Sequence, residues 1–464
     1  MKLRTSSFKT ILCKDILRFA PLWALYLIGG ILVLLSVTDT TEADYAAVRL
    51  SSTVTVFGIV NIIYAALAAQ LLFGDLFNSR MCNALHAMPM RRETWFMSHV
   101  ISGLCFSLVP NLIMTLAMMP VLGDYWYIGF VWLLGMTLEY LCFFGLAVFS
   151  VFCTGNRFAM VAVYGVLNFF ALIVLWFVTT IYQPLLYGFA VAEETFYTFS
   201  PLLKMVDREL IETSGAYDTG AGFVPTRIYM TQEWWCLAGY AAIGAVLLGA
   251  GLLLYRRRKL ECAGNFMAVK SLAPIFSVIF ALFVGALFAM FGYNGNGTED
   301  YLHLIFLSVG LVVGYFTGQM LLQRTVKVFK PMAFAKLAVL VVIIFTSIGL
   351  TVWDPLGFEE WVPEADEVQS VTLTGSAAIW DRHGNLIEIQ DQGIIENIID
   401  LHKMALRNGE YDGSRYISHV NINITYTMKD GRTVKRRYST TYDGTRDEYI
   451  ELIREYKSIA VAAQ

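Results

Sequence analysis

Residues 75–95 read DLFNSRMCNALHAMPMRRETW and lie between two apolar runs that are each long enough to cross a membrane. With Asp75 as its cap, the segment should form a short amphipathic helix. Its apolar stripe at helical spacing would consist of Phe77, Met81, Leu85 and Met88. Pro89 lacks the N–H that an interior helical bond needs, so the helix should end near residue 88. The pattern predicts an interfacial helix that lies against a membrane or docks on a partner.

The composition is that of a polytopic membrane protein. The chain has 464 residues, of which 57% are hydrophobic and 15% charged, whereas soluble proteins average about 25% charged residues. A membrane helix needs about 20 apolar residues to cross about 30 Å of hydrocarbon. Such runs lie near residues 16–37, 52–74, 95–121, 126–152, 158–187, 234–255, 273–293, 301–322 and 334–353. We therefore expect a mainly α-helical bundle of about nine spans.

Lysine and arginine set the expected orientation, because they collect in the cytoplasmic loops of membrane proteins. They cluster before the first run and after the second, fourth, sixth and eighth runs, as in RRRK at residues 256–259. The alternate short loops are acidic or neutral on balance. The N-terminus is therefore expected in the cytoplasm, and nine spans would place the polar tail at residues 354–464 on the extracytoplasmic side.

The segment LHAMPMRR at residues 85–92 resembles the sequence that follows the second span of bacterial ABC-2-type permeases, the membrane subunits of ATP-binding-cassette (ABC) exporters. In that family this segment is the coupling helix, which contacts a cytosolic ATPase. The resemblance implies a coupling helix over residues 75–92. The implied ATPase-coupling residues are Asn83, Leu85, His86, Met88, Pro89, Arg91 and Arg92.

Other regions extend the resemblance. Residues 1–15 mix basic and apolar side chains, as in the elbow helix with which such permeases commonly begin, and residues 16–260 match a six-span permease unit. The junction YRRRKLECAGNF at 255–266 resembles one in a Firmicute-type subgroup related to the acetoin-utilisation and cell-envelope-stress permeases. That subgroup adds three spans, here 261–353, and an outer domain, here 354–464. On charge alone, the basic cluster would be only a positive-inside anchor.

The loop between the fifth and sixth runs is long and has two parts. A short re-entrant or surface helix is predicted to start at Ser200 and Pro201, where the same family has a similar start. Residues 218–225, DTGAGFVP, are predicted to be a flexible loop because glycine and proline punctuate them.

The tail is expected to fold as a small extracytoplasmic α+β domain. Its strongest signal is a hairpin over residues 420–442, where alternating apolar and polar residues flank a type I′ turn at Asp430 and Gly431. Weaker strands are predicted near 368–373 and 379–389, and helices near 394–409 and 446–460. Helices on one face of an antiparallel sheet would bury enough surface to fold.

No catalytic, cofactor or metal site is expected, and the chain is not expected to be an enzyme. The P-loop pattern GxxxxGK followed by Ser or Thr is absent, so an exporter built on this chain would rely on a separate ATPase for ATP and magnesium binding. The patterns HExxH, GxSxG and CxxC are absent too, which leaves metalloprotease, hydrolase and thiol-redox interpretations without support. The formal net charge of −3 argues against nucleic acid as a partner.

Glu139 lies in the middle of the fourth run, in LLGMTLEYLCFF at residues 133–144. A lone ionised carboxylate there costs about 2.5–3.5 kcal/mol on translocon scales, so Glu139 should be protonated, paired or beside a wet cavity. One interpretation makes it part of the substrate path or a latch between helices. The other makes it a structural hydrogen-bond partner of a neighbour such as His99, Asn111 or Asn168.

The family resemblance, together with the amphipathic segment, implies the permease subunit of an ABC exporter in a bacterial plasma membrane. Two such subunits, identical or sibling, would form the translocation path in the lipid bilayer, and cytosolic ABC ATPases would drive it. The alternative is a membrane sensor whose outer domain detects an envelope ligand or an antimicrobial compound. A secondary transporter is a weaker third hypothesis, because no paired broken helices occur at matching positions of two halves.

Overall fold

The computed structural model of the chain describes residues 2–38, 43–87, 90–191, 199–206, 211–218, 222–230, 234–292, 302–375, 386–408 and 420–440. The α-helices are α1 (Lys2–Arg18), α2 (Ala20–Thr38), α3 (Ala43–Leu72), α4 (Ser79–Ala87), α5 (Arg92–Leu122), α6 (Trp126–Cys153), α7 (Arg157–Ile181), α8 (Pro201–Val206), α9 (Trp234–Arg257), α10 (Ala273–Phe291), α11 (Leu302–Gln323), α12 (Pro331–Trp353) and α13 (Gln392–Asn408). The strands are β1 (Ile211–Asp218), β2 (Gly222–Met230), β3 (Val368–Gly375), β4 (Glu388–Ile389), β5 (Val420–Met428) and β6 (Thr433–Thr440).

In the described part of the chain, eight helical segments are long and apolar enough to cross a membrane. Each coincides with a predicted apolar run except the segment Arg92–Cys153, which is 62 residues long and covers two of those runs. The predicted mainly α-helical membrane bundle is confirmed at this level, while the number of crossings stays a prediction.

The 62-residue segment folds back on itself. A straight helix of that length would measure about 93 Å, three times the thickness of the hydrocarbon layer. A single turn of 3₁₀-helix, Gly123–Tyr125, separates α5 from α6, and Gly123 has a φ of +52° that favours glycine. The hydroxyl of Tyr140 on α6 donates to the carbonyl oxygen of Gly103 on α5 at 3.0 Å. Because residues on either side of the turn meet in this way, α5 and α6 lie antiparallel.

The chain divides into two compact units. The first contains Met1–Leu172, Phe196–Phe276 and Leu321–Arg324. The second contains Ile173–Thr195, Ser277–Met320 and Thr325–Gln464. The helix α7 contributes to both. The boundaries predicted at residues 260 and 353 follow sequence pattern rather than packing and stay predictions.

Close backbone contact between α6 and α9 holds the first unit together. A Cβ atom added to Gly145 would lie 2.3 Å from the carbonyl oxygen of Gly244, and one added to Gly244 would lie 2.5 Å from that of Leu141. In a bilayer, where lipid tails are as apolar as side chains, small residues at such a crossing gain van der Waals contact between helices. The buried core of the first unit includes Trp132, Tyr140 and Phe144.

The long loop of the first unit contains a hairpin that the sequence did not predict. The helix α8 begins at Pro201, as expected, but residues 222–225 lie in β2, which pairs antiparallel with β1. The prediction of a flexible loop there is wrong. Pro225 lies opposite Gly215, where the register of the ladder shifts. A proline can occupy a strand at such an irregularity, because the regular ladder does not need its N–H there.

In the second unit, α10 and α11 cross closely along one line of glycines. Gly310, Gly314 and Gly318 follow one another at intervals of four residues, which places them on one face of α11. A Cβ atom on Gly310 would lie 2.7 Å from that of Phe288, and one on Gly314 would lie 2.7 Å from that of Val284. The glycines therefore allow these two helices to approach.

The tail contains a four-stranded antiparallel sheet with the order β4-β3-β5-β6. The helix α13 covers one face and buries Ile395, Ile398 and His402. The predicted strand near 379–389 is present in the described residues only as Glu388–Ile389, and the predicted helix at 446–460 lies outside the described residues.

The predicted β5–β6 hairpin is confirmed, but the predicted type I′ turn is wrong. A type I′ turn needs positive φ at both central residues. Only Gly431 has one, at +84°, and its N–H donates to the carbonyl oxygen of Met428 at 2.9 Å. The carboxylate of Asp430 accepts the N–H of Arg432 at 2.9 Å, which holds Asp430 in a local turn of its own. The loop is therefore a type I turn closed by a glycine.

Within the second unit, Arg436 fastens the sheet to the segment that follows α12. Its guanidinium lies 3.8 Å from the centre of the Phe358 ring, and Nη2 donates to the carbonyl oxygens of Phe358 and Trp361 at 2.7 and 3.2 Å. The edge strand β6 also forms a backbone hydrogen bond with a segment outside the sheet. The N–H of Arg437 donates to the carbonyl oxygen of Gly188 at 3.2 Å. The sheet is thus fixed to the chain segments that follow α7 and α12.

Candidate functional site at the basic end of the helix bundle

The candidate site lies at one end of the first unit, which we call the basic end. There the C-terminal ends of α3, α6 and α9 meet the N-terminal ends of α5 and α7. The side chain of Gln70 on α3 donates to the carbonyl oxygen of Arg157 on α7 at 3.1 Å, which ties two of these ends together. The arginines of the basic end are Arg80, Arg91, Arg92, Arg157, Arg256, Arg257 and Arg258.

The short helix α4 lies at the basic end, between the candidate spans α3 and α5. It begins at Ser79, so the predicted cap at Asp75 is wrong. Asp75 belongs instead to a separate 3₁₀ turn, Gly74–Phe77, whose Leu76 side chain is fully buried. Asn78 is the cap, because its backbone is extended and its Oδ1 accepts the N–H of Arg80 at 3.0 Å. The helical part of the predicted segment 75–92 is therefore shorter than expected.

The burial of its side chains shows which face of α4 is turned toward the bundle. Cys82 and Leu85 are 2% and 9% exposed and join the core of the first unit, whereas Met81 is 47% exposed. The predicted apolar stripe is therefore wrong at Met81. Leu85 was one of the implied ATPase-coupling residues, but its side chain packs in the core of the chain itself. The outward face of α4 consists of Arg80, Met81, Asn83, Ala84 and Ala87.

The structure places the other predicted coupling residues unevenly. Asn83 is exposed on the outward face of α4, and Arg91 is exposed just before α5. His86 lies in α4, although its side chain is not among the described atoms. Met88 and Pro89 lie outside the described residues. The structure therefore brings Asn83 and Arg91 to the surface of the basic end.

Arg92 holds the end of another helix. Its Nη1 donates to the carbonyl oxygens of Tyr255, Arg256 and Arg258 at 3.2, 3.1 and 3.3 Å. These are among the carbonyls that a helix end leaves without intrahelical partners. The guanidinium also lies 5.7 Å from the centre of the Tyr255 ring. Arg92 therefore anchors α5 to the C-terminal end of α9, and its guanidinium binds carbonyl oxygens of the chain itself.

Arg258 makes a second connection, which sequence reasoning missed. Its Nη1 donates to the carbonyl oxygen of Val151 near the end of α6 at 3.0 Å, and Nη2 to that of Leu76 at 3.4 Å. Burial lowers the pKa of Arg258, a shift that the nearby Cys82 and Cys262 oppose. Burial also raises the pKa of the Cys82 thiol, so Cys82 is neutral at physiological pH. The run RRRK does not by itself distinguish Arg258 from its exposed neighbours.

The junction after α9 closes over the loop between α6 and α7. The N–H of Gly264 donates to the carbonyl oxygen of Gly155 at 2.7 Å, and that of Ala268 to the carbonyl oxygen of Cys153 at 2.8 Å. A Cβ atom on Gly155 would lie 2.1 Å from the carbonyl oxygen of Cys262, so only glycine fits there. The junction at residues 255–266 is thus part of the basic end.

The N-terminal helix α1 runs three residues beyond its predicted end at residue 15 and is attached to α5 by a buried polar cluster. Nδ1 of His99 lies 2.6 Å from Oδ2 of Asp15, and the hydroxyl of Ser102 donates to the same oxygen at 3.0 Å. His99 was one of the predicted hydrogen-bond partners of Glu139, but its Nδ1 contacts Asp15. The helix α1, held in this way, is a fixed part of the first unit.

Glu139 is fully buried in the middle of α6. The side chains of Tyr26 on α2 and Tyr164 on α7 are its electrostatic neighbours. The Tyr26 hydroxyl lies 3.1 and 3.0 Å from the amide oxygens of Asn61 and Asn111, and that of Tyr164 donates to the carbonyl oxygen of Ile62 at 3.0 Å. Glu139 therefore belongs to a polar cluster that joins several helices in the interior of the first unit.

No family model matches the chain, and no curated protein or solved structure matches it at a significant level.

Proposed function

We propose that the chain is the membrane-spanning permease subunit of an ABC exporter and that α4 is the helix through which a cytosolic ATPase acts on it. One observation carries the proposal. A short helix lies at the basic end between two candidate spans, with Cys82 and Leu85 buried on one side and Met81 exposed on the other. A helix held on its inner face and open on its outer face can receive a partner without leaving the bundle.

The proposal includes an orientation. The arginine-rich basic end would face the cytoplasm, since positive charge is retained on that side of a membrane. Counting α5 and α6 as two crossings, the chain would cross the membrane nine times, with its N-terminus inside. The domain that contains β3–β6 would then be extracytoplasmic. This is the orientation that would present α4 to a cytosolic ATPase.

A separate ATPase is needed because no P-loop sequence occurs anywhere in the chain. Two permease subunits, identical or sibling, would form the path between them, with ATP and magnesium bound by the partner ATPases. The polar cluster around Glu139 would contribute to that path or would latch helices within one subunit. The outward face of α4, with Arg80 beside Met81 and Ala84, favours a partner groove that is apolar with an acidic rim.

The experiment is an affinity purification of the tagged chain from its native membrane in mild detergent, followed by mass spectrometry of the proteins that co-purify. An ABC ATPase should appear in stoichiometric amount. It should be lost from the double variant Arg80→Glu, Met81→Asp, which changes only exposed residues of α4. The matched control is Lys9→Glu, an exposed charge reversal on α1, which should retain the ATPase. Absence of any ATPase from the wild-type preparation would overturn the proposal.

The second candidate function is that of a membrane sensor. The contact of the tail favours it, because the stack of Arg436 on Phe358 would pass a change in the sheet to the segment that follows α12. A sensor would copurify with a signalling protein or with none, and its behaviour would not depend on the outward face of α4. The same purification therefore separates the two hypotheses.

A further inference from the structure

Three elements of the basic end meet at one guanidinium. Arg258 follows the last residue of α9, and its Nη1 is 3.0 Å from the carbonyl oxygen of Val151, near the end of α6. Its Nη2 is 3.4 Å from the carbonyl oxygen of Leu76, in the turn that leads into α4. A single side chain thus joins α9, α6 and the base of α4.

Both hydrogen bonds of Arg258 are partly buried. Leu76 is fully buried, Val151 is fully buried, and burial lowers the pKa of Arg258. A charged donor in such a place forms stronger hydrogen bonds than a neutral donor. Without Arg258, the carbonyl oxygen of Val151 keeps only the N–H of Thr154, at 3.4 Å. By contrast, the side chains of Arg256 and Arg257 are exposed.

The inner face of α4 adjoins the same arginine. Cys82 is an electrostatic neighbour of both Arg258 and Arg92, and it is 2% exposed. A shift of α4 therefore cannot occur without a change in the surroundings of the Arg258 guanidinium. Since packed protein interiors change between discrete arrangements rather than deform continuously, such a shift would be passed on to the groups that Arg258 holds.

We propose that Arg258 is the positioning residue that passes movement of α4 to α6 and α9. This inference rests on the proposed function, because it supposes that a partner moves α4. The receiving helix α6 carries Glu139 at its middle. A displacement of the α6 end would thus reach the polar cluster that the proposed function places in or beside the path.

The experiment uses the full chain copurified with its ATPase and measures hydrogen exchange in peptides of α6, with and without magnesium ATP and vanadate. The wild type should show a nucleotide-dependent change in the α6 peptides. Arg257→Gln, the exposed neighbour, should show the same change. Arg258→Gln should retain the ATPase but lose the change. Arg258→Lys should also lose it, because a single ammonium group cannot span both carbonyl oxygens.

The outcomes distinguish the two proposals. If no ATPase accompanies the wild-type chain, the proposed function fails. If the ATPase is present and Arg258→Gln still shows the wild-type change in α6, the role of Arg258 is refuted. If the Arg258 variants are monodisperse but lose the ATPase, Arg258 belongs to the docking surface and the transmission role is refuted as well. Should Arg258→Gln fail to fold, Arg258→Lys decides.

Discussion

The carboxylate of Asp15 lies 2.6 Å from Nδ1 of His99, and the two residues are only 5% and 6% exposed. This contact attaches α1 to α5. The ring of Trp95 packs against His99, with 4.4 Å between the two ring centres. A buried polar group that loses its partner costs about 1–3 kcal/mol. The position of the N-terminal helix therefore depends on this pair rather than on membrane affinity alone.

Replacing Asp15 should loosen α1. Asp15→Leu leaves Nδ1 of His99 without its partner, while Ser102 keeps the carbonyl oxygen of Ser98 at 2.9 Å. The thermal midpoint of the detergent-solubilised chain should therefore fall by an amount that corresponds to about 1–3 kcal/mol. Lys14→Ala, an exposed change on the same helix, should leave the midpoint unchanged. The double variant Asp15→Leu, His99→Leu should recover part of the loss, since it leaves fewer unpaired groups. A wild-type midpoint in Asp15→Leu would contradict this account.

The crossing of α6 and α9 should tolerate no side chain at Gly244. Gly244→Ala would place a Cβ atom 2.5 Å from the carbonyl oxygen of Leu141, and overpacking of this kind costs about 1–3 kcal/mol. Gly249→Ala on the same helix meets nothing within 4 Å and should be neutral or stabilise by up to about 1 kcal/mol. Thermal unfolding of the two variants compares them directly. Equal stability would show that the helices do not approach so closely.

Arg436 should stabilise the tail more than its neighbour Arg437. Arg436→Ala removes the stack on Phe358 and two hydrogen bonds from a charged donor, each worth about 1.5–3 kcal/mol. Arg437→Ala removes an exposed side chain and keeps the backbone bond to Gly188. Limited proteolysis of the full chain should therefore cut the tail of Arg436→Ala first. Equal cleavage of the two variants would contradict the claim that the contacts of Arg436 stabilise the tail.

His402 should make the stability of the tail depend on pH. Burial, with the nearby positive charge of Arg436, lowers the pKa of His402 to about 3, from an ordinary value of about 6.5. Between these values the unfolded chain binds a proton that the folded chain does not. The contribution of His402 to the free energy of unfolding should therefore be fully present above a pH of about 6.5. It should decrease as the pH drops toward 3, by at most about 1.4 kcal/mol per pH unit.

The measurement for His402 is an NMR titration of the histidine Cε1 protons in the full chain, with His402→Gln to assign the signal. The imidazole contacts the hydroxyls of Tyr426, at 3.1 Å, and Tyr438. Such contacts suit a neutral ring, which offers one donor and one acceptor. The signal should stay in its neutral position at pH 5. A midpoint near 6.5 would contradict the buried, neutral state.

The sequence predicted the helices of the bundle well because each needs only a run of apolar residues. It could not fix the bounds of α4, because Asp75 and Asn78 are both good caps and the choice depends on where Leu76 is buried. Packing of Cys82 and Leu85, which lie three residues apart on one face of α4, leaves Met81 on the exposed side.

The sequence also did not identify Arg258, since its role depends on carbonyl oxygens of residues about 110 and 180 positions away in the chain, whose proximity only the fold creates. The β1–β2 hairpin was missed for a similar reason. Proline and glycine at residues 222–225 indicate a loop locally, but the register shift opposite Pro225 accommodates them in a strand. In both cases tertiary contacts override the local signal.

The most direct test of the central claim is photo-crosslinking from α4 in the native membrane. A photoreactive amino acid is placed at Met81, on the outward face, or at Leu85, on the buried face, and the products are identified by mass spectrometry. Our account predicts that position 81 crosslinks to an ABC ATPase and that position 85 crosslinks only within the chain. No ATPase adduct at position 81, with the tagged chain correctly inserted, would contradict the claim that α4 receives the partner.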